Sequence, residues 1–159
     1  MATISVSSGS YVRPYRKSRI VHYPEDTSQT FKKGEPVILS TDSNEGNRLK
    51  ISGSDPTAGL VGIAAEDASG TVLNKIPVWV FDEESEFVIH MATAQTLDND
   101  DIGVQYGIVK DGTNVIWNLD NTETTAVVFR VVQLLDAHGD TQGRCIVRAV
   151  NAPRGPYKS

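Results

Sequence analysis

From Phe31 to Val150 the chain is a succession of short apolar or alternating runs, each cut within a few residues by Gly, Pro, Asn, Asp or Ser. That punctuation limits the fold more than any single motif does. A strand needs only a handful of residues between turns, whereas an amphipathic helix needs an apolar stripe held at helical spacing over about 11 residues. No window of this sequence keeps one. The runs Pro36–Leu39, Arg48–Ile51, Leu60–Ala65, Ile76–Phe81, Glu86–Met91, Tyr106–Lys110, Val115–Asn118, Ala126–Leu135 and Arg144–Val150 are therefore predicted strands, with Ala126–Leu135 the longest. Alternation gives several of them a register. Leu49 and Ile51 share a face, as do Phe87, Ile89 and Met91; Val127, Phe129 and Val131 oppose Val128, Arg130 and Val132. Asp111-Gly112 between two runs predicts a hairpin. Pro77 lacks an N–H and is expected at an edge or a strand start. Helix is confined to one predicted turn in Asp98–Val104, capped by Asp98 or Asn99. The expected class is mainly β, a small β-barrel or β-sandwich with an extended N-terminal arm.

Length and charge divide the chain further. Its 159 residues suffice for one domain with ordered tails. Residues 1–30 read as an extended arm, residues 31–152 as the β-rich body and residues 153–159 as a tail whose two prolines cannot continue a central strand. Pro14 and Pro24 keep the residues before them out of the helical region, and Tyr11, Tyr15, Ile20, Val21 and Tyr23 punctuate the arm with anchors. Residue types alone leave open a loose terminus and an arm that orders against a partner. The formal charge of −5 conceals an asymmetry: residues 1–24 hold Arg13, Arg16, Lys17 and Arg19 with no acid, and every carboxylate lies in residues 25–152. An acidic body repels nucleic acid, so a protein partner is expected for the basic ends. No apolar run approaches the ~18 residues of a membrane span, and the first residues lack a signal-peptide pattern. The expectation is a soluble chain made in the cytoplasm, with no membrane partner.

The residues capable of chemistry are scattered. His22, His90 and His138 show no metal-ligand spacing, and Cys145 is a lone cysteine within a strand pattern with no base beside it. There is no nucleophile elbow and no phosphate-cradling glycine loop. Carboxylates cluster at Asp82, Glu83, Glu84 and Glu86 and at Asp98, Asp100 and Asp101, as solvated acidic loops also do. Asp42–Gly46 lacks the ligand set of a calcium loop. No metal, no cofactor and no catalysis are expected. Trp79 and Trp117 are candidate interface residues, although on apolar strands they serve as readily in a core.

The order of elements carries a resemblance. Phe31-Lys-Lys-Gly34-Glu-Pro-Val37-Ile-Leu is followed by Leu60-Val-Gly62-Ile-Ala-Ala65, Ile76-Pro-Val78-Trp-Val80 and Glu86-Phe87. Asp101-Ile-Gly103 then leads into Tyr106-Gly-Ile-Val-Lys-Asp111-Gly, and Val131-Val-Gln-Leu-Leu135-Asp and Gly143-Arg-Cys-Ile-Val147 close the body. Over residues 31–150 this resembles the small β-rich decoration, or cement, proteins of tailed bacteriophage capsids. The resemblance implies a virion protein on the capsid exterior. It implies a homo-oligomer, a trimer before a dimer, that binds the outer face of the major capsid protein shell and stabilises the mature head without catalysis. The arm lies outside the matching part, and Tyr11, Arg13, Tyr15, Arg16, Arg19 and Tyr23 are its expected contacts: aromatics bury area and arginines pair with carboxylates. Two alternatives belong to other classes. One is a carbohydrate-binding or host-adhesion module stacking sugars on Trp79, Trp117 or Tyr106; the other is a hydrolase using the acidic loops.

Overall fold

The structure, a computed structural model, describes residues 1–7, 10–40, 47–52, 60–111 and 116–150. The Asp42–Gly46 loop, Gly112 of the hairpin signal and the 153–159 tail lie outside these. Among the described residues there are eleven strands: β1 (Arg13–Arg16), β2 (Ile20–Pro24), β3 (Pro36–Leu39), β4 (Leu49–Ile51), β5 (Leu60–Ala64), β6 (Lys75–Val80), β7 (Glu86–His90), β8 (Gln105–Asp111), β9 (Ile116–Asp120), β10 (Phe129–Leu134) and β11 (Arg144–Ala149). They form two antiparallel sheets, ordered β1-β7-β11-β10-β8-β9 and β2-β6-β5-β3-β4. The arrangement is a sandwich, which decides between the two architectures left open by the sequence. Each sheet nevertheless curls. Glu25, just past β2, meets Leu49 of β4 in a single parallel bridge, and Met91, just past β7, meets Leu119 of β9 in another. Lone bridges are not ladders, so neither sheet closes into a barrel.

The curl explains how β5 can be apolar on both faces and buried at every residue. One core lies between the sheets: Phe87, Ile89, Phe129, Val131, Cys145 and Val147 from the six-stranded sheet meet Leu60, Ile63 and Phe81. Phe81 packs edge-on against Phe87 and Phe129, both at 5.4 Å between ring centroids. Each such ring, fully buried, contributes about 1.5–3 kcal/mol. A second core fills the concave side of the five-stranded sheet with Tyr23, Val37, Leu49, Val61, Ile76, Val78 and Val80, and Phe31 plugs it. Gly62 is required where β5 pairs with β6, because a Cβ there would collide with the Trp79 carbonyl oxygen and Val78.

Several local expectations find their cause here. Pro77 sits inside the sheet rather than at an edge, paired with His22. Its carbonyl accepts from the Ala65 N–H at 3.0 Å, so its N-side faces the chain just beyond β5, where no ladder donor is needed. The single helical turn is Asn99–Asp101, closed by a capping box: Asp98 accepts from the turn and Asp101 accepts from the Asp98 N–H at 2.8 Å. The run Ala126–Leu135 is not the longest strand. β10 begins only at Phe129, because the Glu123 carboxylate takes the Thr125 and Ala126 N–H groups and holds them in a turn. Among the described residues the longest strand is β8, with seven residues.

The boundary expected at residue 30 has no counterpart in the packing. β1 adds to the edge of one sheet by pairing with β7, and β2 adds to the other by pairing with β6. The crossing between them is tied down, with the Val80 N–H donating to the Arg19 carbonyl at 3.0 Å and Ser85 Oγ lying 3.1 Å from the Lys17 carbonyl. Residues 13–24 are extended, as their prolines require, but they are sandwich strands.

Candidate functional site

Alternation along the six-stranded sheet sorts its side chains into two faces. Phe87, Ile89, Cys145, Val147 and Val131 point into the core. Their neighbours therefore point outward: Glu86, Val88 and His90 from β7, Arg144, Ile146 and Arg148 from β11, and Arg130 from β10. The register then lines up a row across five strands. Gln105 pairs with Arg130, Arg130 with Arg148, Arg148 with Glu86, and Glu86 with Arg16. Arg13 pairs with Val88, two positions along β7 from Glu86, and Arg144 pairs with His90, four positions along. Five arginines thus share one face of a chain whose net charge is −5.

Two carboxylates hold part of this charge. The Glu86 carboxylate, only 3% exposed, accepts from Arg16 Nε at 2.5 Å and from Arg148 Nη2 at 3.3 Å. Asp136 takes Arg144 through Nε at 2.9 Å and Nη2 at 2.8 Å. Those hydrogen bonds hold the Asp136 carboxyl below the usual carboxylate range despite its burial. Arg13 and Arg130 have no ion pair among the described residues. His90 lies on the same face, paired with Arg144, with its Nδ1 donating to the Gln142 carbonyl at 2.8 Å. Burial lowers its pKa, and the charges of Arg144 and Arg13 push the same way against the Gln142 bond and Asp136.

The expected contact residues separate into groups. Arg13, Tyr15 and Arg16 come together on the free edge strand β1, where Tyr15 is exposed and the Arg16 guanidinium lies 5.1 Å from its ring centroid. Arg19 is exposed on the crossing to β2, and its charge acts on Asp82. Burial alone would raise the Asp82 carboxyl, but the Ser85 hydroxyl, two backbone N–H groups and Arg19 hold it below its ordinary value. Tyr11 is elsewhere: half-buried, it packs on Gly34, whose φ of +89° lets the chain turn under it, and Lys33 lies 5.2 Å from its ring. Tyr23 is 1% exposed inside the second core and cannot touch a partner in this fold.

The tryptophans also diverge. Trp117 is a core residue, 3% exposed, with Nε1 donating to the buried Glu35 carboxylate at 3.3 Å; Lys110 pairs with the same oxygen at 2.6 Å. Its expected interface role does not fit that position. Trp79 is half-buried against the inter-sheet core, with Lys33 5.8 Å from its ring. Tyr106 is likewise inside, its hydroxyl donating to Asp101 at 2.6 Å. The three rings therefore do not form one stacking platform. Within the acidic clusters, Asp82 organises the turn to Ser85, and Asp98 and Asp101 cap the 3₁₀ turn. Burial pushes the Cys145 thiol up to about 12, which leaves no thiolate at neutral pH. Among the described residues no three His, Cys, Asp or Glu side chains group as metal ligands.

Sequence reasoning found Arg13 and Arg16 but not Arg130, Arg144 and Arg148. Their signal was present, since Arg144 and Arg148 are four apart in one strand and so share a face. What it lacked was strand order, which alone puts β11 between β7 and β10. No family model, characterised protein or solved structure matches this chain.

Proposed function

We propose that this chain is a structural protein of a viral particle, a decoration or cement protein that grips the outer surface of a major capsid protein shell through its arginine-lined face and the β1 edge. The observation that carries the reading is the concentration of Arg13, Arg16, Arg130, Arg144 and Arg148 on one sheet face of an otherwise acidic protein. Guanidinium groups match carboxylates in planar, bidentate geometry, which suits adhesion to an acidic protein surface. The resemblance of the sequence over residues 31–150 to capsid decoration proteins suggests the kind of partner. Tyr15 beside Arg16 adds an aromatic anchor at a strand edge that a neighbouring chain can extend. A trimer on the shell multiplies modest contacts through effective concentration. The carbohydrate-binding alternative has less to rest on, because Trp117 and Tyr106 are buried.

The test is sedimentation of shells with the purified full chain. Wild-type protein is expected to co-sediment and to raise the temperature at which shells rupture. Arg13→Glu with Arg16→Glu is expected to lose at least about tenfold in occupancy, the scale of two charge-assisted contacts. Purified particles that contain none of this polypeptide and bind none when it is added would refute the proposal.

A further inference from the structure

We propose that the groove between Arg130 and Arg148 is a binding site for a carboxylate side chain on an acidic peptide segment; this deepens the reading above and rests on it only for which protein supplies the segment. Arg130 and Arg148 face each other directly across β10 and β11. Like charges in that position cost stability. Arg148 is partly compensated, since Nη2 donates to Glu86 at 3.3 Å. Arg130 has neither an ion pair nor a hydrogen-bond partner among the described residues. The sheet therefore holds an unneutralised guanidinium beside a half-neutralised one, and an anion between them relieves the repulsion.

The shape agrees with the charge. An open depression of about 420 Å³ lies here, lined by Val132, Ala149 and Val150 as well as by both arginines, with Gln105 next in the row. Val132 and Val150 suit the methylenes of Glu or Asp, the two guanidinium forks suit the carboxylate, and the Gln105 amide offers a further donor. The chemistry also discriminates. Glu83 lines the groove and Glu86 lies on the next strand of the row. A nucleic acid brings closely spaced phosphates and would set some of them against these carboxylates. A peptide brings one charge flanked by neutral backbone.

The experiment titrates the full chain with a short synthetic peptide carrying one Glu among small apolar residues. Its Gln counterpart and a single-stranded oligonucleotide serve as comparisons. The readout is the Nε–H resonances of Arg130 and Arg148. The Glu peptide is expected to shift both, and Arg130→Gln to weaken binding about tenfold or more, the loss of a charge-assisted pair. Arg130→Gln should leave the chain at least as stable as wild type, because it also removes the repulsion. Arg130→Lys, which keeps the charge but not the fork, should weaken binding less. Equal binding of the Gln peptide, undiminished binding by Arg130→Gln or tighter binding of the oligonucleotide overturns the assignment. The assay contains no shells, so its failure leaves particle association standing, and the reverse holds too.

Discussion

Glu86 is where the stability of the fold and the charge of the interaction face meet, and Glu86→Gln separates them. The carboxylate is 3% exposed, while the side chains of Arg16 and Arg148 are 56% and 48% exposed. Charge-assisted hydrogen bonds contribute about 1.5–3 kcal/mol when buried, and exposed pairs only about 0.2–1 kcal/mol. Here the acid is buried and the bases can rehydrate, so the expected loss is between these, about 1–2 kcal/mol. Glutamine keeps the shape and one acceptor, but its amide turns two donors toward a guanidinium. For a chain of this size the loss corresponds to a fall in Tm of about 2–8 °C. Urea unfolding should show a lower midpoint at an unchanged m-value. Because Arg16 lies on the edge strand, amide exchange should accelerate in β1 before it does in β11. A double-mutant cycle with Arg16→Gln should give a coupling of about 1 kcal/mol. The same substitution removes a negative charge from the face, so an acidic peptide should bind more tightly to the less stable protein. A wild-type midpoint together with zero coupling would refute the account of Glu86 as the tie between β1, β7 and β11.

Two further outcomes test the packing. Gly62→Ala forces a Cβ onto the Trp79 carbonyl, which is backbone and cannot step aside, so a loss of about 2–3 kcal/mol is expected in chemical denaturation. The lowered pKa of His90 makes stability depend on pH. Below the ordinary imidazole value of 6.5 the unfolded chain takes up a proton that the buried site resists, so stability falls as pH drops from there toward the folded pKa. His90→Gln should flatten that part of the profile, and the His90 ring resonances should titrate below those of an exposed histidine.

The runs between turn residues in residues 31–150 were enough to locate nearly every strand, because a short apolar run bounded by Gly, Asp or Pro has few other ways to bury itself. The capped turn at Asp98 was legible for a similar reason: its hydrogen bonds close within four residues. The basic, proline-marked start was legible as extended backbone, though not as part of the sandwich. Whether such a segment stands free or joins a sheet depends on edges supplied by β6 and β7, some 50 to 75 residues away in the chain.

By itself, then, the sequence determined the β character, the turn positions and the inward or outward sense of most strand residues, all consequences of local sterics and period-two alternation. Only the tertiary structure decided that Trp117 and Tyr23 are core, that each sheet curls over its own apolar side, and that β1, β7, β11 and β10 stand side by side. The arginine face exists only through that last arrangement. Strand order is set by long-range pairing, in which each strand gains most by covering the apolar face of another, and no local pattern encodes which partner that will be.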